Sequence, residues 1–275
     1  MKKRLMAAVL STAMAATMLL TGSISVQAAD AAAANDPAVE LIFTSVSVSG
    51  DSHTEAMYEF ADKVEELSGG SVTCKCYDNG SLFSSENEFD ALLNGDADLA
   101  YISFPTIATQ IPSYSMFASG YLFSSYEHMT SVLNGDIGLN KIRPQIEETL
   151  NIKPLSSFYL GSRVINTREK EINSYDDMNG LLLRMPNSEA WLFLGEALGA
   201  NPTPLSFSEL YTALQTGAVD AQDNPLPSIE SAKFYEVTKY IAITNHVVDS
   251  IMPCINGDTW NSMTEAQQEA VTEAM

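Results

Sequence analysis

From residue 39 onward, short continuous apolar runs alternate with stretches in which apolar side chains recur every three or four positions. Glu40 to Thr44, with Leu41, Ile42 and Phe43 in succession, predicts a buried strand. Met57, Phe60, Ala61, Val64 and Leu67 follow at helical spacing, with Ser52 and Glu55 placed as a capping box and Gly69-Gly70 as the stop. Ser71 to Tyr77 predicts a second strand, with Val72, Cys74 and Cys76 on one face because successive strand residues point to opposite sides. The unit then repeats. Ser85 and Glu88 form the next capping box, Phe89, Leu92 and Leu93 lie on a helix face, Gly95 ends it, and Ala97 to Ile102 reads as a strand. Strands separated by amphipathic helices imply an α/β fold, with a mostly parallel sheet and helices on its faces.

The middle of the chain is mixed. Tyr114 to Phe123 is rich in aromatic residues, and Ser125 to Leu133 and Ile137 to Leu150 predict helices. A second set of units begins near residue 155. Ser156 to Ile165 reads as a strand, Ile172 to Met178 as a short element, and Leu181 to Met185 as a compact apolar strand ended by Pro186. Asn187 or Ser188 caps a helix to Leu198, where Gly199 supplies a left-handed exit. Ser206 and Glu209 open another helix carrying Leu210, Ala213 and Leu214 to Gly217, and Ala218 to Ala221 predicts the next strand. Thr264 and Gln267 cap a last amphipathic segment, with Ala266, Ala270 and Val271, that reaches Met275 without a terminating signal. It reads as the start of a truncated helical region.

The first 29 residues stand apart. Lys2, Lys3 and Arg4 precede an uncharged stretch from Leu5 to Ala29, whose apolar part ends near Leu20 and whose exit is Val26-Gln27-Ala28. This is the three-part build of a secretory signal. A spanning helix needs roughly 20 continuous apolar residues, and Ser11, Thr12, Thr17 and the polar residues from Thr21 to Ser25 interrupt such a run. Cleavage near Ala28 or Ala29 is expected, and with it export to the periplasm or extracytoplasmic space. No cysteine lies in this segment to take a lipid anchor. Residues 30–38 read as a flexible lead-in.

Charge narrows the partners. The chain carries 35 acidic and 14 basic side chains, a formal net charge of −21, and the signal holds three of the basic ones. Such a surface repels nucleic acid and anionic lipid, and no basic stripe offsets it. A protein of this composition that takes up an anion must keep its few arginines where the anion goes. The three cysteines, Cys74, Cys76 and Cys254, lack the ligand number and spacing of a zinc site, so free thiols are expected, with no metal and no cofactor.

Arg184 is the leading candidate for binding chemistry. It follows the apolar run Leu181 to Leu183 and precedes Met185-Pro186, so its charge is placed at a buried strand. A guanidinium cannot shed that charge and needs acceptors, which a protein carboxylate or a bound one can supply. Its planar fork suits two-point recognition of a carboxylate. Arg163 lies at another predicted strand end, either beside the same anion or as a surface residue. Asn224, in a loop expected to run from Asp220 to Pro225, offers a donor and an acceptor, or else an ordinary turn before Pro225. Asp223, His53 at a helix start and Tyr211 on a helix face are further possible pocket residues. No catalytic residue is expected, because His53, His128 and His246 show no motif spacing and no phosphate loop or nucleophile elbow occurs.

The run GLLLRMPNS from Gly180 to Ser188 resembles the substrate-binding proteins of tripartite ATP-independent periplasmic (TRAP) transporters, the DctP-like family. LGANPTP from Leu198, FSELYTALQTGAVDAQDNP from Phe207 to Pro225, KFYEVTKY from Lys233 and TNH from Thr244 extend the resemblance, which covers nearly the whole chain after the signal. It implies a two-lobed periplasmic solute-binding protein fold with a central ligand cleft: residues 39–155 as lobe I, 156–248 as lobe II, and 249–275 returning to lobe I. By the same resemblance, Arg184 matches the family's defining arginine, which forms a two-point salt bridge with the ligand carboxylate. Arg163 matches a second pocket arginine and Asn224 an asparagine that helps hold the carboxylate. The family usually has Glu where this chain has Asp223, and often a basic residue where it has Val164. The implied partners are a small organic acid anion and integral-membrane TRAP transporter subunits. The residues themselves leave open a ligand-binding protein that serves a sensor, and an exported enzyme using Asp220, Asp223 or His246.

Overall fold

The computed structural model describes residues 36–275, so the signal and the lead-in up to residue 35 lie outside the described residues. In chain order the first part comprises β1 (Val39–Thr44), α1 (Ser52–Leu67), β2 (Val72–Tyr77), α2 (Glu88–Asn94), β3 (Leu99–Ile102) and α3 (Phe104–Ile107). A 3-10 turn (Pro112–Ala118), α4 (Tyr126–Leu133), α5 (Arg143–Leu150) and β4 (Ile152–Pro154) follow. The second part holds β5 (Phe158–Thr167), β6 (Leu182–Met185), α6 (Glu189–Ala197), β7 (Asn201–Pro204), α7 (Phe207–Thr216), β8 (Ala221–Pro225) and α8 (Leu226–Ser231). The long strand β9 (Tyr240–Asn256), α9 (Gly257–Ser262) and α10 (Glu265–Ala274) complete it.

The strands lie in the order β2-β1-β3-β9-β5-β8-β6-β7, with β4 also on β9. β9 belongs to two pairings: residues 252–256 pair with β3 and β4, whereas residues 240–251 pair with β5. The sheet is mixed, which corrects the expectation of a mostly parallel one. β1 runs parallel to β2 and β3, and β6 parallel to β7 and β8, but β5 and β9 pass antiparallel through the middle. β7 contains Pro202 and Pro204, tolerated because it is the outermost strand and need not donate on its free side.

Alternation along the strands separates four apolar clusters. In β3, Leu99 and Tyr101 face Leu41, Met57, Phe60 and Val271, while Ala100 and Ile102 face Phe104, Met129 and Ile146. In β5, Ile165 joins Leu183, Met185 and Leu194, and Val164 joins Leu210, Leu214 and Phe234 on the other face. Each pairing system therefore has its own two-sided core, and the systems meet at β5 and β9. Gly161 permits the bulge where β5 crosses β9: its φ is +132°, and an added Cβ would lie 2.4 Å from Pro225 Cβ.

Several helix starts differ from the pattern reading. Asp51, not Ser52, caps α1, accepting from His53 N at 2.9 Å, because a carboxylate stands one position earlier in extended conformation. α2 begins at Glu88 behind Asn87, with no side-chain cap, so Ser85 is not its N-cap. At α7 the Ser206 hydroxyl donates to Glu209 Oε2 at 2.7 Å and makes no cap bond to backbone. Ser188 and Thr264 do cap their helices, the latter with Gln267 in a full capping box. The helix expected over 137–150 contains a π turn at Gly138–Ile142 before Arg143–Leu150, where Pro144 has no N–H to give an α bond. Residues 221–225, expected as a loop, form β8 itself, whose polar side chains are satisfied by neighbouring strands.

Candidate functional site

A cleft of about 430 Å³ opens between the two pairing systems. Asp51, Glu88 and Tyr101 line it from one side, and Arg163, Arg184 and Asn224 from the other. Two contacts cross it: Ser231 Oγ donates to Asp51 Oδ2 at 3.1 Å, and Phe207 N donates to Ser85 Oγ at 3.4 Å.

Strand geometry explains how an arginine reaches this cleft from an apolar strand. Leu183 and Met185 of β6 enter the core, so Arg184 between them points to the opposite face. It is 2 % exposed, and its Nε donates to the Leu205 carbonyl at 2.8 Å. Among the described residues its two terminal amino groups have no acceptor and no carboxylate forms an ion pair with it. Burial lowers its pKa to about 10; Asp223 opposes that shift and the charge of Arg163 adds to it. The guanidinium is thus a desolvated cation at neutral pH, with its fork unspent.

Arg163 is the reverse case. Its Nε and Nη2 donate to Asp223 Oδ2 and Oδ1 at 2.8 and 3.1 Å, and its Nη1 donates to Asp249 Oδ2 at 2.8 Å. Nη2 also reaches the Asp223 carbonyl at 2.6 Å, and Cζ sits 4.5 Å over the Trp191 ring. Burial works against its charge, but Asp223 and Asp249 outweigh burial and raise its pKa. For Asp223, burial favours the neutral form, yet Arg163 and His246 hold the carboxyl well below the usual carboxylate range. At Asp249 burial outweighs the contact with Arg163, so its pKa is raised. Arg163 lines the cleft with its charge already matched by protein carboxylates.

Asn224 Nδ2 donates to Gln222 Oε1 at 2.6 Å, and Gln222 Nε2 donates to Asn166 Oδ1 at 3.0 Å, so a chain of amides fixes its orientation. Asp223 stands behind the cleft wall, between Arg163 and His246 Nε2 at 3.2 Å. His53 also lies behind the wall, its Nδ1 3.1 Å from Asp51 Oδ1 and its ring edge-on to Tyr101. Tyr211 is away from the cleft, where its hydroxyl donates to Glu236 Oε2 at 2.8 Å. The structure therefore gathers Arg184, Arg163 and Asn224 at one opening and leaves Asp223, His53 and Tyr211 outside its lining.

Three residues of this neighbourhood had no distinct signal in the chain. Asp249 lies within β9, a strand whose register no turn announces. Trp191 carries no motif within α6, yet it is 2 % exposed and covers Arg163. Glu88 read as half of a capping box. Among the described residues no group of three or more His, Cys, Asp or Glu side chains is arranged to hold a metal ion, and the three cysteines are free. No helix of the described residues is long and apolar enough to cross a membrane.

The family model of the bacterial extracellular solute-binding proteins, family 7 (DctP), matches residues 43–275. The chain is 34% identical over 215 residues to the sialic acid-binding periplasmic protein SiaP of Vibrio cholerae, an alignment covering 78% of this chain and 66% of that protein. It is 29% identical over 224 residues to the C4-dicarboxylate-binding protein DctB of Bacillus subtilis, covering 80% and 62%. It thus spans about two thirds of the length of the curated relatives it matches. Among solved structures, it is similar to a TRAP periplasmic solute binding protein from Roseobacter denitrificans with bound 3-deoxy-D-manno-oct-2-ulosonic acid, at TM-score 0.81 and 39% identity over 86% of this chain and 78% of that one. It is similar too to the sugar acid binding protein DctPAm from Advenella mimigardefordensis in complex with galactonate, at TM-score 0.83 and 29% identity, covering 86% and 76%. With its mixed α/β sheet, the cleft between its halves and a match over most of its length, the chain belongs to family 7 of the bacterial extracellular solute-binding proteins, the DctP-like substrate-binding proteins of TRAP transporters.

Proposed function

We propose that this chain is the extracytoplasmic solute-binding subunit of a TRAP transporter and captures a small organic acid by pairing its carboxylate with Arg184. The reading rests on one contrast: Arg184 lines the cleft, 2 % exposed, with both terminal amino groups unpaired, while Arg163 beside it is neutralised by two carboxylates. A buried cation without a counter-ion is unfavourable in the empty state, and an incoming carboxylate relieves it through two parallel hydrogen bonds. Asn224, fixed by Gln222, offers a further polar contact, and the paired Arg163 acts as a rigid wall covered by Trp191. The bound molecules of similar proteins, galactonate and 3-deoxy-D-manno-oct-2-ulosonic acid among them, each carry a carboxylate and support this class of ligand.

Residues 39–155 and 249–275 form one lobe and 156–248 the other, with β5 and β9 as the strands on which they close. The task is binding without bond making, followed by delivery to the membrane subunits of the transporter. The basic start and apolar stretch at Lys2 to Ala29 support export. A thermal-shift screen with galactonate, 3-deoxy-D-manno-oct-2-ulosonic acid, glucuronate and succinate, extended to other organic acids, tests the reading. Stabilisation by at least one acid is expected, and no product should accumulate. A panel without a single stabilising acid contradicts it.

A further inference from the structure

Across the cleft from Arg184 stands a carboxyl group with one buried oxygen that no well-formed hydrogen bond reaches. Glu88, the first residue of α2, lines the cleft and is 5 % exposed, because Phe89 and Leu92 beside it anchor α2 in the core. Its Oε1 is fully buried and receives no well-formed hydrogen bond; the Thr44 hydroxyl is the donor beside the carboxyl, near enough to favour its charged form but short of good hydrogen-bond geometry. A buried carboxyl oxygen left without a donor is costly, and groups of this kind in native structures call for an explanation. Burial drives its pKa well above the usual range, and the Thr44 hydroxyl offsets this only in part.

The surroundings narrow what the missing donor is. Asp51, Glu86 and Asp90 lie on the same side of the cleft as Glu88, while Asp249 on the other side is already paired with Arg163. Asp51, buried but held by His53 and Ser231, has a lowered pKa and stays ionised. Against these acids stand two cations, of which Arg163 is already matched, leaving Arg184 to hold one carboxylate. A second carboxylate on the ligand would therefore enter a wall of like charge, which is strongly unfavourable. Hydroxyl groups face no such penalty: Ser47, Ser103, Thr106 and Thr109 line the same side and can exchange hydrogen bonds with a polyol.

We propose that Glu88 is a specificity-determining residue of this cleft: it accepts a hydroxyl of a polyhydroxylated monocarboxylate held by Arg184, and the acidic wall around it excludes a second carboxylate. The inference deepens the function proposed above and rests on it, since Arg184 must hold the ligand's carboxylate.

Calorimetry with three acids of one carbon skeleton tests it: galactonate, its 6-deoxy form, which lacks the terminal hydroxyl, and galactarate, in which that end is a carboxylate. The wild-type chain is expected to bind galactonate about tenfold or more tightly than either of the others, a difference near 1.4 kcal/mol. In Glu88→Met, which removes the acceptor, galactonate should weaken by about tenfold and lose its advantage over the 6-deoxy acid. In Glu88→Gln, which keeps an acceptor oxygen, galactonate affinity should stay within about threefold of wild type. Comparing acids on one protein also separates recognition from any change in folding. Equal or tighter binding of galactarate by the wild type, or an unchanged galactonate preference in Glu88→Met, overturns the proposal and leaves the role of Arg184 standing. Failure of all three acids while other organic acids bind also overturns it, whereas failure of every organic acid removes the function on which it rests.

Discussion

Arg163 and Asp223 form a buried two-point pair between adjacent antiparallel strands, with Nε and Nη2 of the guanidinium donating to the two carboxylate oxygens at 2.8 and 3.1 Å. The pair is 3 % and 0 % exposed. Removing one member strands the other in low dielectric, a loss of about 3–5 kcal/mol. Asp223→Ala should therefore lower the urea-unfolding free energy by about that amount. An unchanged midpoint and slope would show that Asp249 alone satisfies Arg163.

The pair also predicts acid sensitivity. The folded pKa of Asp223 is depressed by Arg163 and His246, although burial opposes this. Its stabilisation is thus fully present above the unfolded value of about 3.9 and is lost as pH falls below it. Unfolding measured across that range should show a falloff that Asp223→Ala lacks.

Glu88 predicts the opposite slope. Burial raises its folded pKa well above the unfolded value of about 4.3, so ionisation favours the unfolded chain as pH rises through that window. Glu88→Gln should be more stable than wild type at neutral pH, with the gap closing near pH 4, about where the unfolded carboxyl takes up its proton. A constant gap across the series would contradict a desolvated carboxyl.

The chain has two tryptophans, and they are well separated in role. Trp191 is 2 % exposed, lines the cleft and covers Arg163, whereas Trp260 lies on α9 with Lys153 5.0 Å from its ring. Ligand addition should change tryptophan emission in wild type and in Trp260→Phe. The change should vanish in Trp191→Phe. A signal that follows Trp260 instead would place binding elsewhere.

How much was readable in the chain depended on whether the signal was local. Leu181 to Leu183 marks β6 by hydrophobicity alone, and strand alternation then fixes the face of Arg184. Ser188 and Thr264 act through their own next turn, so their caps were legible too. Ser85 and Ser206 satisfy the same spacing, yet their hydroxyls are engaged elsewhere, by Phe207 N and Glu209. The antiparallel centre of the sheet was hidden, because β9 spans 17 residues and mixes Asn245, His246 and Asp249 with its apolar positions. Its polar residues make sense only once Asp223 and Arg163 are set beside them. The split between the arginines was hidden for the same reason: Arg163 meets carboxylates 60 and 86 positions away, whereas Arg184 meets no carboxylate and only the Leu205 carbonyl.

Titration calorimetry of Arg184→Ala against wild type, using the organic acid that stabilises the wild-type chain most, tests the central claim directly. Loss of a desolvated charged hydrogen bond costs about 2–5 kcal/mol, so binding should weaken by about 30-fold to several thousandfold while the fold is retained. Unchanged affinity in a folded Arg184→Ala protein would show that the ligand's carboxylate is held by another group.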